Sequence, residues 1–157
     1  MGGTPGRCRR RGTGLTLAEL MVALALLAIL STLAWPVYQQ HLLRARRADG
    51  HAALARVQQA QERHRNQQPV YASSLGIGGL NLPVLSANGH YALATAAIAG
   101  SEASAYRVSA AASGAQAQDS DCRHLAIEVI GGNQLLRSGP TADLGNDSAS
   151  SRRCWNQ

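Results

Sequence analysis

The sequence predicts an α+β fold in which one long N-terminal helix packs on a small four-stranded antiparallel sheet. Three observations predict it. Residues 20–38 form an apolar run without a charge. Beyond it, apolar positions recur at three- and four-residue steps to about residue 60. Between residues 90 and 137, four short runs alternate apolar with polar side chains. At 157 residues the chain has room for one modest domain and an extension, not for two ordinary domains. Its composition, 45% hydrophobic but 4% aromatic with no Phe, gives Ala a large share of the apolar count and predicts a lightly packed core.

The formal charge of +6 is concentrated at the N-terminus, where Arg7, Arg9, Arg10 and Arg11 precede the apolar run. All fifteen basic residues are Arg; without those four, 15 − 4 = 11 Arg oppose nine Asp and Glu, leaving +2. Global basicity is therefore weak evidence for a nucleic-acid partner. The cysteines divide in the same way, Cys8 lying in the basic leader and Cys122 and Cys154 near the C-terminus. In an oxidising compartment the latter two can close a loop, with a gain of roughly 3 to 4 kcal/mol. Two buried free thiols are the alternative.

As a helix, the nineteen residues from Leu20 to Tyr38 cover roughly 28 Å, close to the hydrocarbon thickness of a bilayer. Four Arg before the run and an uncharged exit place the N-terminus in the cytoplasm and everything after about residue 40 outside. A secretory signal peptide cut after Thr32-Leu33-Ala34 fits poorly: the run is long for an h-region, Glu19 interrupts its entry, and Pro36 follows the cut almost at once. A plain single-span anchor gives no reason for Glu19, since an ionisable group there normally implies a partner. Glu19 snorkelling to the headgroups is the bland reading.

Gly14 followed by Leu15-Thr16-Leu17-Ala18-Glu19-Leu20-Met21-Val22 resembles the class III signal of type IV pilins. The resemblance implies that prepilin peptidase cuts between Gly14 and Leu15 and methylates Leu15, making Glu19 the fifth mature residue. Pro36 falls where pilins commonly carry a helix-bending proline. The family usually has Phe at the position of Leu15 and a bulkier aliphatic at that of Ala18. In pilins the glutamate is thought to neutralise the N-terminal amine of an adjacent subunit, so the implied assembly residues are Thr16, Glu19 and Pro36. Physics supports such a role, because a cationic amine entering an apolar fibre core needs a counter-charge.

One helix from residue 15 to about 67 is the economical reading, its first part (15–40) spanning the membrane or forming the filament core after a leader (1–14) is removed. The soluble domain (41–157) then holds the second half of the helix (41–67), and the apolar stripe of Tyr38, Leu42, Ala45, Ala52, Ala53, Val57 and Ala60 runs into it from the membrane segment. Pro36 bends the helix and Gly50 is a second soft point. Pro69 ends it. A loop (68–89) precedes strands at 90–95, 105–110, 124–129 and 134–137, with Gly131-Gly132-Asn133 turning between the last two. Residues 138–153, rich in Ser, Gly, Asp and Asn, read as loop. The Cys122 entry to the third strand and the terminal Cys154-Trp155 resemble the C-terminal half of small pilins, which implies a disulfide bounding residues 122–154.

No catalytic constellation is present. Leu75-Gly76-Ile77-Gly78-Gly79-Leu80 lacks the strand and the Lys-Ser or Lys-Thr of a nucleotide loop. His41, His51, His64, His90 and His124 show no metal-ligand spacing, and an Asp119-Asp121-Cys122-His124 cluster lacks a fourth preorganised element. No cofactor or metal is expected. Arg44, Arg46, Arg47, Arg63 and Arg65, with Arg56, are the candidates for nucleic-acid contact; the plainer reading sets Arg44 to Arg47 beside the outer headgroups or neighbouring helices and Arg63 and Arg65 at a solvated helix end. The expected function is a structural pilin, major or minor, held in the inner membrane and then assembled with itself or other pilins by the pilus machinery into a surface filament for adhesion, twitching or DNA uptake. DNA is not the expected partner. The alternatives are a pseudopilin of a type II secretion system, against which the cysteine pair argues, and a DNA-binding minor pilin. N-terminal mass analysis of the membrane-fraction protein should find a methylated chain beginning at Leu15; an intact leader, or any other start, contradicts the pilin signal.

Overall fold

The computed structural model describes residues 16–144 and 148–155. Helix α1 runs from Leu17 to Arg65, followed by strands β1 (Tyr91–Ala97), β2 (Ala105–Ala112), β3 (His124–Ile130) and β4 (Asn133–Gly139) and a short helix α2 (Ser148–Trp155). The chain divides into two units at Tyr38 and Gln39.

In the first unit the large apolar side chains lie open, from Leu17 at 76% to Tyr38 at 62% exposed. The two aliphatic hydroxyls between Leu17 and Tyr38 are satisfied by the helix itself: Ser31 Oγ donates to the Leu27 carbonyl and Thr32 Oγ1 to that of Ile29, each at 2.7 Å. Such back-bonding lets a polar side chain enter an apolar medium without an unpaired donor. Pro36 lies inside the helix, which continues through it.

In the second unit the four strands form one antiparallel sheet in the order β1-β2-β3-β4. The β3–β4 hairpin turns through Gly131 and Gly132 between the paired Ile130 and Asn133, with φ of 57° and 83°. A two-residue hairpin asks for positive φ, which glycine adopts at no steric penalty. Strand side chains alternate. Tyr91, Leu93, Tyr106, Val108, Ala110, Leu125, Ile127 and Val129 are buried and join Ala53, Leu54 and Val57 of α1 in one core. Burial along α1 falls on Gly50, Ala53, Leu54, Val57 and Gln61. The packed face is thus rotated from the expected one, for Ala45 and Ala52 are exposed while Gly50 and Gln61 are inside. Gly50 is a contact position and not a soft point: a Cβ there would meet the Tyr91 ring at 3.0 Å.

Gln61 is fully buried and fully satisfied, its amide nitrogen donating to the Ala72 carbonyl at 2.7 Å and to Thr95 Oγ1 at 2.8 Å, and its oxygen accepting from the Ala72 N–H at 2.9 Å. It ties the helix to the start of the loop and to β1, and its removal would strand buried backbone groups at about 1–3 kcal/mol each. Asp49 holds the far end of the same loop, accepting from Ser86 Oγ at 2.5 Å and from the Asn88 N–H and side-chain amide at 3.2 Å each. On the opposite sheet face Glu128 is buried between Arg107 and Arg137 and bonded to both. Burial pushes its carboxyl up, but the Arg137 and Arg107 hydrogen bonds outweigh that and hold it below the ordinary range.

The segment 138–153, expected as loop, departs from that reading. Strand β4 continues to Gly139, paired with His124, and α2 begins at Ser148. An eight-residue helix is marginal by itself. Tertiary anchors hold this one: Cys154 is bonded to Cys122, Trp155 Nε1 donates to the Arg137 carbonyl at 3.1 Å, and the Trp155 ring stacks on His51 with centroids 4.6 Å apart.

Candidate functional site

The N-terminal site begins at Thr16; Gly14 and Leu15, the expected cleavage and methylation positions, lie outside the described residues, as does Cys8. The Thr16 N–H donates to Glu19 Oε2 at 2.8 Å, Thr16 Oγ1 donates to the same oxygen at 3.0 Å, and the Glu19 N–H donates to Thr16 Oγ1 at 3.3 Å. This is the reciprocal capping box of a Thr-x-x-Glu sequence, in which each side chain satisfies a backbone donor freed at the helix start. Glu19 therefore has partners within its own chain. Its charge still lacks a cation: among the described residues none lies within ion-pair distance of it.

The candidate arginines separate into two kinds. Arg47 is committed to the fold, its Nε and Nη2 donating to the two oxygens of Asp119 at 2.6 and 2.7 Å, in a pair whose side chains are 12% and 6% exposed. The Asp119 hydrogen bond outweighs burial and raises the Arg47 pKa further. Asp119 also accepts from Gln116, whose amide reaches the Leu43 carbonyl and the Tyr91 hydroxyl at 3.1 Å each. Burial pushes the Tyr91 phenol up to about 12 despite that bond. Arg65 is likewise engaged, donating to the carbonyls of Ala103 at 3.0 Å and Gln68 at 3.2 Å beneath the Tyr71 ring. Arg44 and Arg63 are exposed and Arg46 is partly buried. Among the described residues, no carboxylate lies within ion-pair distance of Arg44, Arg46, Arg56 or Arg63.

The Cys122–Cys154 disulfide, with Cα atoms 5.6 Å apart, brings further arginines into the picture. It sets Arg153 near Arg47, whose Nη1 donates to the Arg153 carbonyl at 3.2 Å. Arg123 and Arg152 are exposed beside the two cysteines. Nothing in the local sequence around residue 152 points toward residue 47. The available signal was the cysteine pair, which joins whatever flanks it. His51 lies under Trp155, where burial lowers its pKa against a hydrogen bond with the Cys154 backbone.

The aspartate-cysteine-histidine cluster and the glycine loop are both occupied by the fold. In the Asp119-Asp121-Cys122-His124 cluster, Asp119 is held by Arg47 and Cys122 by the disulfide. In the glycine loop the amides of Gly79, Leu80, Asn81 and Leu82 donate to carbonyls of residues 74–76 at 2.7 to 3.3 Å, so they are not free to hold an anion. Beside Arg56, an apolar cleft of about 320 Å³ is lined by Val57, Leu82, Pro83, Leu85 and Leu93 among others.

Comparison with known families gives two matches. Residues 9–35 match the prokaryotic N-terminal methylation motif. Residues 36–126, more than half of the chain, match the family described as type IV minor pilin ComP, DNA uptake sequence receptor. No curated protein matches the chain. The two family matches adjoin, the methylation motif on the apolar helix and the minor-pilin domain on the packed helix, β1, β2 and the start of β3. The chain belongs to the ComP family of type IV minor pilins.

Proposed function

We propose that this chain is a DNA-contacting minor pilin, made as a membrane-anchored precursor and assembled into a type IV pilus. The leader, residues 1–14, is removed between Gly14 and Leu15, Leu15 is methylated, and the helix crosses the inner membrane once with its N-terminus in the cytoplasm. Residues 15–40 then leave the bilayer for the filament core, and residues 41–157 form the filament's outer part. The observation that carries the DNA reading is the match of residues 36–126 to a family described as a DNA uptake sequence receptor. The same match favours the pilus over a secretion pseudopilus.

Phosphate contact needs arginines whose charge is not already used. Arg56 and Arg63 meet that need: both are exposed and seven residues apart on α1. That spacing puts them on one helix face, about 10.5 Å apart along the axis. Arg44 and Arg46 are similarly without a carboxylate among the described residues, whereas Arg47 and Arg65 are occupied within the domain. Full-length protein in detergent should bind duplex DNA with an affinity that falls steeply with salt, and Arg56→Gln and Arg63→Gln should each reduce the slope of log K against log salt by about one. Absence of binding at low salt, or binding indifferent to salt, contradicts the DNA reading.

Glu19 serves assembly in this reading, its carboxylate meeting the N-terminal amine of an adjacent subunit. Two variants separate that from helix capping. Glu19→Gln keeps an oxygen for the Thr16 donors and removes the charge; Glu19→Ala removes both. A buried amine without a counter-ion is destabilised by about 3–5 kcal/mol. Both variants should therefore be processed at Leu15 yet be nearly absent from sheared filaments. Normal incorporation of Glu19→Gln would show that capping alone is the role of this residue.

A further inference from the structure

The arginines around the disulfide form a cluster apart from Arg56 and Arg63. Arg47 is its keystone: while two of its nitrogens hold Asp119, the third holds the Arg153 carbonyl and so seats the last turn of α2 against α1. The Cys122–Cys154 bond fixes the same turn from the other side. Together they bring Arg153 into a concavity of about 280 Å³ lined by Arg44, Arg47, Asp121, Cys122 and Arg153. The Arg47 charge is balanced by Asp119. Asp121 lies 3.8 Å from Arg153, but with both side chains about two-thirds exposed, 67% and 69%, that pair is weak and readily exchanged. What remain are the guanidinium groups of Arg44 and Arg153, which line the concavity together with Asp121. Forked donors of this kind match the oxygens of a phosphate.

The place of the concavity selects which phosphate. Gln39 opens the folded unit directly after the charge-free run. From Gln39 to Arg44 the helix rises about 7.5 Å, and the headgroup layer outside the hydrocarbon is roughly 5 to 8 Å deep. If residues 20–38 cross a bilayer, the phosphates nearest to Arg44 are those of the lipids around the span. We propose that Arg44 and Arg153 bind the phosphate of an anionic glycerophospholipid headgroup at the outer surface of the membrane, holding the domain on the bilayer until the subunit is withdrawn into the filament. This rests on the membrane-anchored reading above and is independent of DNA contact. An arginine near an anionic surface contributes about fivefold to association, so the two together form a hold that extraction must break.

The test is hydrogen exchange of the full-length protein in nanodiscs of phosphatidylcholine alone and of phosphatidylcholine with phosphatidylglycerol in equal parts. Amides of residues 119–123 and 152–155 should exchange more slowly with phosphatidylglycerol present. Arg44→Gln and Arg153→Gln should each reduce that slowing about fivefold, and Arg56→Gln should leave it unchanged. Equal exchange in the two lipids, or full slowing in the double variant, overturns the proposal. So does inorganic phosphate reproducing the slowing in phosphatidylcholine nanodiscs, which would assign the concavity to a free anion. Arg153→Gln should retain its DNA affinity; loss of DNA binding by Arg153→Gln with its lipid effect intact would assign the cluster to nucleic acid and overturn the proposal. Arg44 makes no bond to another described side chain, so its single variant keeps the test valid if the double variant fails to form the Cys122–Cys154 disulfide. A chain that does not enter nanodiscs at all fails the anchoring reading and this proposal with it.

Discussion

The structure depends first on an apolar surface that the chain cannot cover by itself. From Leu17 to Tyr38 the large apolar side chains are more than half exposed. Burying a Leu, Ile, Val or Met side chain is worth about 1.5–3 kcal/mol, so this stretch as a whole is driven toward cover by tens of kcal/mol. Lipid can supply that cover, and so can other helices of the same character. The serine, threonine and glutamate side chains of the stretch suit such an exchange of environments. Ser31 and Thr32 bond back to their own helix, and the Glu19 carboxylate accepts from Thr16. Hydrogen bonds formed within one chain survive transfer from lipid to protein. A charge is different, because no hydrogen bond from Thr16 removes it, and no described residue of the chain balances it.

The folded unit solves the opposite problem of holding a small, aromatic-poor core together. Its two fully buried tyrosines, Tyr91 and Tyr106, fill the space between helix and sheet. Gly50 leaves room for one of them, and Gln61 joins the loop to the helix where an apolar residue could not. The Arg47–Asp119 pair and the disulfide act on one point from two sides, and the result is a fixed position for the C-terminal turn. Arginine placement is then a consequence of packing: Arg47 is used up by the fold, and using it delivers Arg153 to the side of Arg44.

The helix and the sheet were legible because periodicity at 3.6 and at 2 is imposed by burial, and Gly131-Gly132 announces a tight hairpin. The methylation signal was legible as a motif around Gly14 and Glu19. The Thr16-x-x-Glu19 capping box stands in the same residues but was not legible there, because a lone carboxylate in an apolar run signals a missing cation more strongly than the hydrogen bonds it makes to its own helix start. Gln61 was missed because a buried amide gives no apolar signal, and Gly50 because a close ring contact is long-range information. Helix α2 could not be read locally; its Ser-rich start favours loop, and the forces that order it act through Cys154 and Trp155. The arginines showed why counting charge misleads. Their number was known from the sequence, but which of them are neutralised depends on partners such as Asp119, seventy-two positions from Arg47.

The central claim, that the uncovered helix passes from lipid to the helices of other pilin subunits, is tested most directly by photo-crosslinking. A photoreactive residue at position 24, placed in full-length protein in cells, reports what touches the middle of the apolar run. Adducts with pilin subunits in the sheared filament fraction, and with lipid in the membrane fraction, are the predicted result. Filaments that contain the chain but yield no subunit adduct from this position would contradict it.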